Sequence, residues 1–308
     1  MSESIDALQL NLGGGGLMVM NVSLCFIMFG VALELTIQDF KDLIKNPKST
    51  VAGVFSQFLF LPAVTFLIIY LLNPTPSFAL GMMMVAACPG GNISNFFSQL
   101  AGGNTALSVS MTAIATLLAV IATPLNFTFW ASMYAPTNAI LQEVSLDIYE
   151  VFKIVVLILG LPLILGMIVR HYKPELALKL TKWIKAFGVL FFAAFVFTAF
   201  AMNFDHFLSY VQYVVGFVFL HNAIALLGGF GIASILKLSF EDRKSIAIET
   251  GIQNSGLGLL LIFNFFDGLG GMALIAAWWG IWHIIMGFLI GWYWSIGKAS
   301  LQKVFSNA

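Results

Sequence analysis

The sequence Glu249-Thr250-Gly251-Ile252-Gln253-Asn254-Ser255-Gly256 lies within an otherwise apolar run that extends from residue 245 to residue 266. It combines a carboxylate, two amides, two hydroxyls and two glycines. A charged side chain at the centre of a bilayer costs about 2.5 to 3.5 kcal/mol on insertion scales, so this cluster is expected to face a protein cavity rather than lipid. Glycine beside polar side chains is typical of an interrupted membrane helix. Two interpretations stay open here: an ion-binding helix break, or a polar seam between helices in which Glu249 is protonated or paired.

The composition indicates a polytopic membrane protein. Of 308 residues, 60% are hydrophobic and 9% are charged, whereas a soluble domain carries about 25% charged residues. The formal net charge is zero, so no basic surface for nucleic acid is expected. Cys25 and Cys88 both lie in apolar runs and are expected to be free thiols. The first eleven residues lack the positive region of a cleaved signal peptide.

Nine segments are long and apolar enough to be predicted as membrane spans, since a spanning helix needs about 20 mostly apolar residues. They are 15–35, 50–72, 78–101, 105–130, 149–170, 186–203, 209–236, 245–266 and 272–296. The sequence therefore predicts an all-α polytopic membrane protein with nine transmembrane helices and no sizeable soluble domain.

The distribution of Lys and Arg predicts the orientation. With nine spans and the first running inward, 13 of the 14 basic residues fall in cytoplasmic links or in the C-terminal tail; Lys153 is the exception. Cytoplasmic segments carry an excess of Lys and Arg. We therefore expect a multi-pass protein of the cell membrane, with the N-terminus outside and the C-terminus in the cytoplasm.

A second polar interruption, Cys88-Pro89-Gly90-Gly91-Asn92-Ile93-Ser94-Asn95, lies in the third predicted span. Pro89 removes a backbone donor and disfavours helix before it, and two glycines follow. An ordinary proline kink would not need two glycines and three polar side chains, so a true break is favoured. The breaks lie in spans 3 and 8, which run antiparallel. This predicts an inverted repeat of spans 1–4 and 6–9, and such paired breaks point to a transporter's binding site.

Other polar residues of the spans suit a hard cation. Gln57 precedes Pro62 by five residues, and Ser108, Thr112 and Thr116 share one helix face. A lone Ser or Thr more often bonds its own helix. Together with Glu249, however, these residues offer only oxygen ligands, which favours sodium or a proton over a transition metal. His221 and His283 are interpreted as core histidines, with a proton relay or substrate contact as the alternative.

Three motifs resemble the bile acid:sodium symporter family, which includes bacterial homologues of the ileal bile acid transporter. They are the Cys88–Asn95 segment, the Glu249–Gly256 segment, and Leu107-Ser108 with Thr112 and the later Thr123-Pro124. Weaker matches, among them His221-Asn222 and Trp282-His283, extend the resemblance in order over nearly the whole chain.

The resemblance implies two broken helices that cross within a core domain, and a panel domain packed against it. The implied core covers residues 50–133 and 209–296, and the implied panel covers residues 15–36 and 148–204. Residues 1–14 and 297–308 would be the extracytoplasmic and cytoplasmic tails.

The resemblance also implies two sodium ions as coupling ions, with no other cofactor. The first sodium site would use Ser94, Asn95, Ser108, Thr112 and Glu249. The second would use Gln57, Glu249 and Gln253 with the carbonyls of Thr250 and Ile252. The substrate would lie near Asn92, Ile93, Asn254 and His283. Asn92-Ile93 replaces the Thr-Ala of many members, and Ile284 the frequent Asn, so the substrate's identity does not carry over.

The function expected from this resemblance is sodium-coupled import of a small organic anion, such as a bile acid or a similar carboxylate or sulfonate, by alternating access. A sodium/proton antiporter or proton-coupled carrier on a similar crossed-helix fold is the alternative, although no Asp lies deep in any span. A channel or sensor is a third possibility. An enzyme is the least favoured, because no nucleophile–base–acid set is visible. The sequence leaves the oligomeric state open.

Overall fold

The structure, a computed structural model, describes residues 5–10, 15–144 and 147–306, and within these ranges it is helical, with no β-strand. The helices are α1 (Gly16–Ala32), α2 (Ile37–Lys45), α3 (Pro47–Phe55), α4 (Leu61–Leu72), α5 (Pro76–Ala87), α6 (Ile93–Leu100), α7 (Thr105–Met133), α8 (Ala135–Val144), α9 (Ile148–Val155), α10 (Leu161–Tyr172), α11 (Pro174–Met202), α12 (Phe204–Ile235), α13 (Phe240–Gly251), α14 (Ser255–Phe265) and α15 (Gly270–Ser306). One π-helical turn, Ser56–Phe60, joins α3 to α4, and another, Val156–Gly160, joins α9 to α10.

Both predicted interruptions are present. The third predicted span consists of α5 and α6, which are separated by residues 88–92, and the eighth consists of α13 and α14, separated by residues 252–254. Cys88 has an extended backbone (φ −72°, ψ 155°), as expected for a residue that precedes proline. Each of the two spans is therefore a pair of half-helices whose inner ends lie at the break.

Several apolar helices are long enough to cross a bilayer, so this is a multi-pass membrane protein. In the described part of the chain, five helical segments meet the length and composition of a span: Pro47–Leu72, Thr105–Met133, Tyr149–Tyr172, Leu208–Ile235 and Gly270–Ile296. Three shorter apolar helices are α1, α5 and α14. The half-helices are too short to span alone, which follows directly from the two interruptions.

The largest buried cluster surrounds the half-helices on one side of the breaks. α5 and α14 pack against α15, and Trp279 of α15 is fully buried among them. α12 packs along α13, while α1 packs on α10 and α11. The half-helices α5 and α14 are thus held in a close-packed core next to the breaks.

The N-terminal segment 5–10 is tied to the helices, although the sequence suggested only a tail. Leu10 donates a backbone hydrogen bond to the Gly268 carbonyl (2.9 Å), and Gly270 donates one to the Leu8 carbonyl (2.7 Å). Asp6 accepts a 2.8 Å hydrogen bond from the backbone N–H of Ser77, in the first turn of α5. We call residues 5–10 the N-terminal strap. It joins the loop between α14 and α15 to the start of α5.

Some helix ends differ from the sequence prediction. α11 begins at Pro174, twelve residues before the predicted span 186–203, and α15 continues to Ser306, past the predicted span end at residue 296. Hydropathy marks only the apolar part of a helix, and these extensions are more polar. Cys25 and Cys88 are free thiols, as predicted. The Ser239 side chain caps α13 by accepting a hydrogen bond from the Asp242 N–H (3.1 Å).

Candidate functional site

The two helix breaks contact each other through their backbones. Gly90 and Gln253 form an antiparallel bridge. Gly91 donates a hydrogen bond to the Ile252 carbonyl (2.7 Å), and Asn254 donates one to the Pro89 carbonyl (2.8 Å). Backbone groups released by an interrupted helix need partners inside a membrane protein. Here each break supplies partners for the other, so the two interruptions are mutually stabilising.

A side chain would crowd the place where the breaks touch. A Cβ atom at Gly90 would lie 2.8 Å from Oε2 of Glu249 and 3.3 Å from Nε2 of Gln57. A Cβ atom at Gly91 would lie 3.2 Å from the Gln253 carbonyl oxygen. The lack of side chains at these two positions lets the break of the third span approach the polar residues of α13.

The carboxylate of Glu249 is the centre of a buried hydroxyl cluster. Its Oε1 accepts hydrogen bonds from Ser94 Oγ (2.5 Å), Ser108 Oγ (2.5 Å) and Thr112 Oγ1 (3.1 Å), and its Oε2 lies 3.1 Å from the same Thr112 oxygen. Glu249, Ser94 and Ser108 are fully buried, and Thr112 is 2% exposed. Three helices, α6, α7 and α13, thus bring one charge-bearing side chain and three hydroxyls together.

Asn95 adds an acceptor oxygen to this cluster, so that the cluster has more acceptor contacts than hydroxyl hydrogens. Its Oδ1 lies 2.9 Å from Ser108 Oγ and 3.2 Å from Thr112 Oγ1. The three hydroxyls therefore make six close contacts with acceptor oxygens, yet each hydroxyl has a single hydrogen. At most three of the six contacts can contain a hydrogen. Such a surplus of converging oxygens is suited to a bound cation or to one additional proton.

The structure brings together all five residues predicted for the first sodium site. The signal for it was in the sequence, because Ser94 and Asn95 follow a helix break, and Ser108 and Thr112 are one turn apart on α7. Both pairs converge on Glu249.

A second group of buried amides lies beside this cluster. Gln57 is 1% exposed, and neither its Oε1 nor its Nε2 has a hydrogen-bond partner, although the amide is close enough to interact with Glu249. Gln253 is fully buried; its Nε2 donates to the Thr250 carbonyl (2.7 Å), and its Oε1 has no partner. Unpaired buried amide oxygens are costly in protein interiors. Two such oxygens beside a carboxylate fit the predicted second set.

The remaining members of the second set are the carbonyl groups of Thr250 and Ile252. The Thr250 carbonyl accepts from Gln253, and the Ile252 carbonyl accepts from Gly91 N–H. A carbonyl oxygen has two lone pairs, so each of these oxygens keeps capacity for a further partner.

Gln57 is positioned by a π-helical turn that the sequence analysis did not foresee. The turn covers Ser56–Phe60 and ends just before Leu61-Pro62. Single π-turns inside helices are frequent at functional sites. The hydroxyl of Ser56, which begins the turn, lies 2.7 Å from Oγ1 of Thr250. The one sequence signal was Pro62, whose missing N–H disturbs the preceding helix.

Asn222 is a further residue of the site that the predicted ligand sets lack. Its Nδ2 donates a 2.6 Å hydrogen bond to the carbonyl of Gly251, the last residue of α13. Beside it, His221 Nε2 lies 2.6 Å from Thr65 Oγ1, and the ring packs on Trp279 (4.8 Å between centroids). His221 is therefore a buried core residue whose Nε2 has a partner, while its Nδ1 has none among the described residues. Asn222 anchors the end of a half-helix.

Three of the four residues predicted to contact substrate are more exposed than the predicted sodium ligands Glu249, Gln57 and Gln253. Asn92 and Asn254 are half-buried, and Ile93 is 36% exposed. Asn254 accepts a hydrogen bond from Leu257 N–H (3.1 Å) and caps α14. His283 is 6% exposed, and its Nδ1 has no hydrogen-bond partner among the described residues. Asn92, Ile93 and Asn254 thus lie at the break, whereas no hydrogen bond among the described residues links the His283 Nδ1 atom to it.

The half-helix ends have opposite polarity at the breaks. α6 and α14 begin there, and α5 and α13 end there. A helix N-terminus favours anions, and a C-terminus favours cations. The breaks therefore offer two anion-favouring ends beside Asn92 and Asn254, and two cation-favouring ends, of which that of α13 lies close to Glu249.

Comparison with known proteins agrees with this geometry. Residues 21–210 match the model of the sodium bile acid symporter family. The chain is 35% identical over 274 residues to the uncharacterized sodium-dependent transporter YocS of Bacillus subtilis, covering 89% of this chain and 82% of that protein. It is 31% identical to the probable chloroplastic sodium/metabolite cotransporter BASS1 of Oryza sativa subsp. japonica (89% of this chain, 65% of that protein).

A human relative extends the comparison to bile acid transport. The ileal sodium/bile acid cotransporter of Homo sapiens is 27% identical over 240 residues, which cover 78% of this chain and 67% of that protein. With the family model spanning more than half of the chain, this protein belongs to the sodium bile acid symporter family.

Proposed function

We propose that this protein is a sodium-coupled symporter that imports a small organic anion by alternating access, with no cofactor other than the coupling ions. The observation that carries the proposal is the buried cluster around Glu249, where three hydroxyls make six contacts with acceptor oxygens. Sodium is a hard cation that takes oxygen ligands. A bound ion would relieve the surplus of oxygens that the hydroxyl hydrogens cannot satisfy.

Two sodium sites are proposed, and both share Glu249. The first uses Ser94, Asn95, Ser108 and Thr112, and the second uses Gln57 and Gln253 with the carbonyls of Thr250 and Ile252. The C-terminal end of α13 would help to compensate two cations that face a single carboxylate. The unpaired amide oxygens of Gln57 and Gln253 support the second site.

The proposed membrane arrangement has nine spans in an inverted repeat. It counts α5 with α6, and α13 with α14, as one span each. Residues 50–133 and 209–296 would form the core domain, and residues 15–36 and 148–204 the panel. Alternating access would move one against the other. The excess of basic residues in the odd-numbered links and in the C-terminal tail supports an N-terminus outside and a C-terminus in the cytoplasm.

The substrate is proposed to bind at the exposed side of the breaks, near Asn92, Ile93 and Asn254. The N-terminal ends of α6 and α14 would favour a carboxylate or sulfonate there. His283 would reach the substrate only after neighbouring helices move, because it is 6% exposed in this structure. The relatives named for sodium/metabolite and sodium/bile acid cotransport support an organic substrate without specifying one.

Thermal unfolding of the purified protein in sodium and in potassium tests this proposal. We expect sodium to raise the melting temperature, and one class of organic anion to raise it further when sodium is present. A ligand at 100 times its Kd stabilises by about 2.7 kcal/mol, so millimolar binding is measurable. Equal melting temperatures in the two salts would contradict the proposal.

A proton-coupled carrier is the second candidate, because an added proton on Glu249 would also relieve the oxygen surplus. It predicts a melting temperature that depends on pH and not on the choice of sodium or potassium. The same experiment, repeated at several pH values, separates the two functions.

A further inference from the structure

A second layer of polar groups lies one helical turn from the Glu249 cluster, on the same three helices. Ser98 follows Ser94 by four residues on α6, Ser245 precedes Glu249 by four on α13, and Asn104 precedes Ser108 by four at the start of α7. Residues four apart share a helix face. Ser98 and Ser245 therefore present a second oxygen on the same helix faces as Ser94 and Glu249, and Asn104 is the N-cap of α7.

The members of this layer are in direct contact. Ser98 Oγ and Ser245 Oγ lie 2.6 Å apart, and Ser245 Oγ donates to the Asn104 carbonyl (3.0 Å). Both serines are fully buried. Gly103 packs against them so closely that a Cβ atom there would lie 2.7 Å from Ser245 Oγ. We call Ser98, Ser245 and the Asn104 carbonyl the hydroxyl layer.

The layer continues to a carboxylate nearer the surface. Asp242, three residues before Ser245 on α13, accepts hydrogen bonds from Asn104 Nδ2 (2.8 Å) and from Ser49 Oγ (2.7 Å). It is half-buried, unlike the serines. At a rise of about 1.5 Å per residue, Asp242 lies roughly 10 Å from Glu249 along the helix. Oxygen groups thus follow one another from the cluster to the first turn of α13.

The other directions from the cluster lead to the contacting breaks, to apolar groups, or to the buried amides of Gln57 and Gln253 that form the second proposed set. Towards the break, the backbones of Gly90 and Gln253 are in contact. Apolar clusters flank the layer, one including Phe97 and Ile248 and the other including Met111 and Ile246. A cation moving through these apolar groups would lose all its ligands, whereas the hydroxyl layer offers oxygens at each turn.

Lys244 and Arg243, the basic residues between Asp242 and Ser245 on α13, donate hydrogen bonds to backbone carbonyls outside the hydroxyl layer. Lys244 Nζ donates to the Ala101 carbonyl (2.9 Å) and lies over the Phe240 ring, and Arg243 Nε donates to the Leu238 carbonyl (2.8 Å). Lys244 follows Asp242 by two residues and precedes Ser245 by one, so it leaves α13 about 100° away from Ser245.

We infer that the hydroxyl layer is the step through which the coupling cation passes between the Glu249 cluster and the cytoplasm, with Asp242 at its mouth. The inference rests on the proposed function, which supplies both the cation and the cytoplasmic orientation of this end. The layer is a route and not a resting site, because its two hydroxyl hydrogens already satisfy the Ser98–Ser245–Asn104 chain.

A residue that only lines the path of the cation affects the rates of sodium binding and release, but not the sodium affinity. A sodium ligand or a residue that only stabilises the fold would not show this combination. Removing one of its oxygens raises the barrier for entry and exit equally, so both rates fall while the equilibrium affinity is unchanged. We therefore expect Ser98→Ala and Ser245→Ala to slow sodium association and dissociation about tenfold, the effect of ~1.4 kcal/mol in the barrier. The sodium Kd should stay within about twofold, and Ser98→Thr should restore wild-type rates.

The experiment follows the intrinsic tryptophan fluorescence of purified full-length protein during rapid sodium dilution and rapid sodium addition, with Kd taken from sodium-dependent melting. Ser23→Ala is the matched control. Ser23 is equally buried, and its Oγ donates to its own helix at Val19 (2.6 Å), so its rates should equal those of the wild type.

Three results would overturn the inference. Wild-type rates in both alanine variants would exclude the layer from the path. A loss of affinity that Ser98→Thr does not restore would make the layer a structural brace. If the wild-type protein shows no sodium response, the proposed function is refuted, and the inference fails with it. This outcome is distinguishable from the other two because it is seen before any substitution is made.

Discussion

Gly90 lies against the carboxylate of Glu249, so that a Cβ atom added to the glycine would be 2.8 Å from Oε2 and 3.2 Å from the Glu249 carbonyl oxygen. This contact joins the break of the third predicted span to the acidic residue of the eighth. It also explains why the sequence Pro89-Gly90-Gly91 is needed where a simple kink would require proline alone.

The first prediction concerns Gly90→Ala. The methyl group has to displace either the carboxylate or the backbone of α13, since 2.8 Å is too short for a carbon–oxygen contact. We expect the sodium-induced rise in melting temperature to fall strongly, with affinity lower by about tenfold or more for ~1.4 kcal/mol of lost binding. Gly231→Ala in α12 is the control, because no atom lies within 4 Å of its added Cβ. An unchanged sodium response in Gly90→Ala would show that the carboxylate position does not matter.

The second prediction concerns the charge itself. Glu249→Gln keeps the size of the side chain and removes its charge, so we expect the sodium effect on the melting temperature to disappear. In potassium the variant should be as stable as the wild type or more stable, because an uncompensated buried charge is destabilising. Glu150→Gln, at a carboxylate that is 49% exposed and paired with Lys153, should keep the full sodium response. A sodium response in Glu249→Gln would remove the carboxylate from the site.

The third prediction separates ligand hydroxyls from hydroxyls that bond their own helix. Thr112→Val removes the oxygen that contacts both carboxylate oxygens and Asn95, and we expect about a tenfold loss of sodium affinity, from ~1.5 kcal/mol for a hydrogen bond or ligand contact to a charged group. Thr112→Ser should restore it. Thr116→Val is the matched control one turn away, since Thr116 Oγ1 donates to the Thr112 carbonyl (2.7 Å). Equal losses in the two valine variants would contradict this assignment.

The fourth prediction tests for two ions rather than one. Gln253→Ala removes an unpaired amide oxygen of the second proposed set and leaves the Glu249 hydroxyls in place. We expect the sodium dependence of the melting temperature to change from a cooperative curve to a single-site curve with a smaller maximal shift. Gln99→Ala, at an exposed position of α6, is the control. A cooperative curve in Gln253→Ala would rule out its part in a second site.

The fifth prediction concerns the anchor of α13. Asn222→Leu leaves the Gly251 carbonyl without its 2.6 Å donor, and an unsatisfied buried acceptor costs about 1 to 3 kcal/mol. We expect a lower melting temperature together with weaker sodium binding, because the end of α13 is released next to Glu249. Asn264→Leu breaks an amide pair with Asn21 at the other end of α14, about 15 Å along the helix from the break. It should lower stability and leave the sodium affinity unchanged.

The sequence predicted those features that arise from local chemistry. Polar residues and glycines inside apolar runs located both breaks, and the spacing of Ser108 and Thr112 placed them on the face that meets Glu249. Local patterns could not show which backbone atoms pair across the breaks. They also could not show that Asn222, 29 residues before Gly251 in the sequence, holds the end of α13.

Two further features that the sequence did not predict, the π-helical turn and the early start of α11, also depend on more than the local hydropathy pattern. The π-turn at Ser56–Phe60 depends on how Pro62 is accommodated by neighbouring helices, which a hydropathy pattern does not record. The early start of α11 at Pro174 lies in a stretch that carries several lysines, and a hydropathy window excludes it although it is helical. Contacts between distant segments, not composition, decide these features.

The N-terminal strap sets a limit on the amplitude of any motion of α1 relative to the half-helices. Leu10 is hydrogen-bonded to Gly268, and α1 begins only six residues later, at Gly16. Six residues of fully extended chain reach at most about 22 Å. A larger separation between the start of α1 and the α14–α15 loop requires the strap to detach from that loop. Detachment would break its two backbone hydrogen bonds and expose the buried side chains of Ile5 and Leu8. While it stays attached, the strap therefore limits the distance between the start of α1 and the α14–α15 loop.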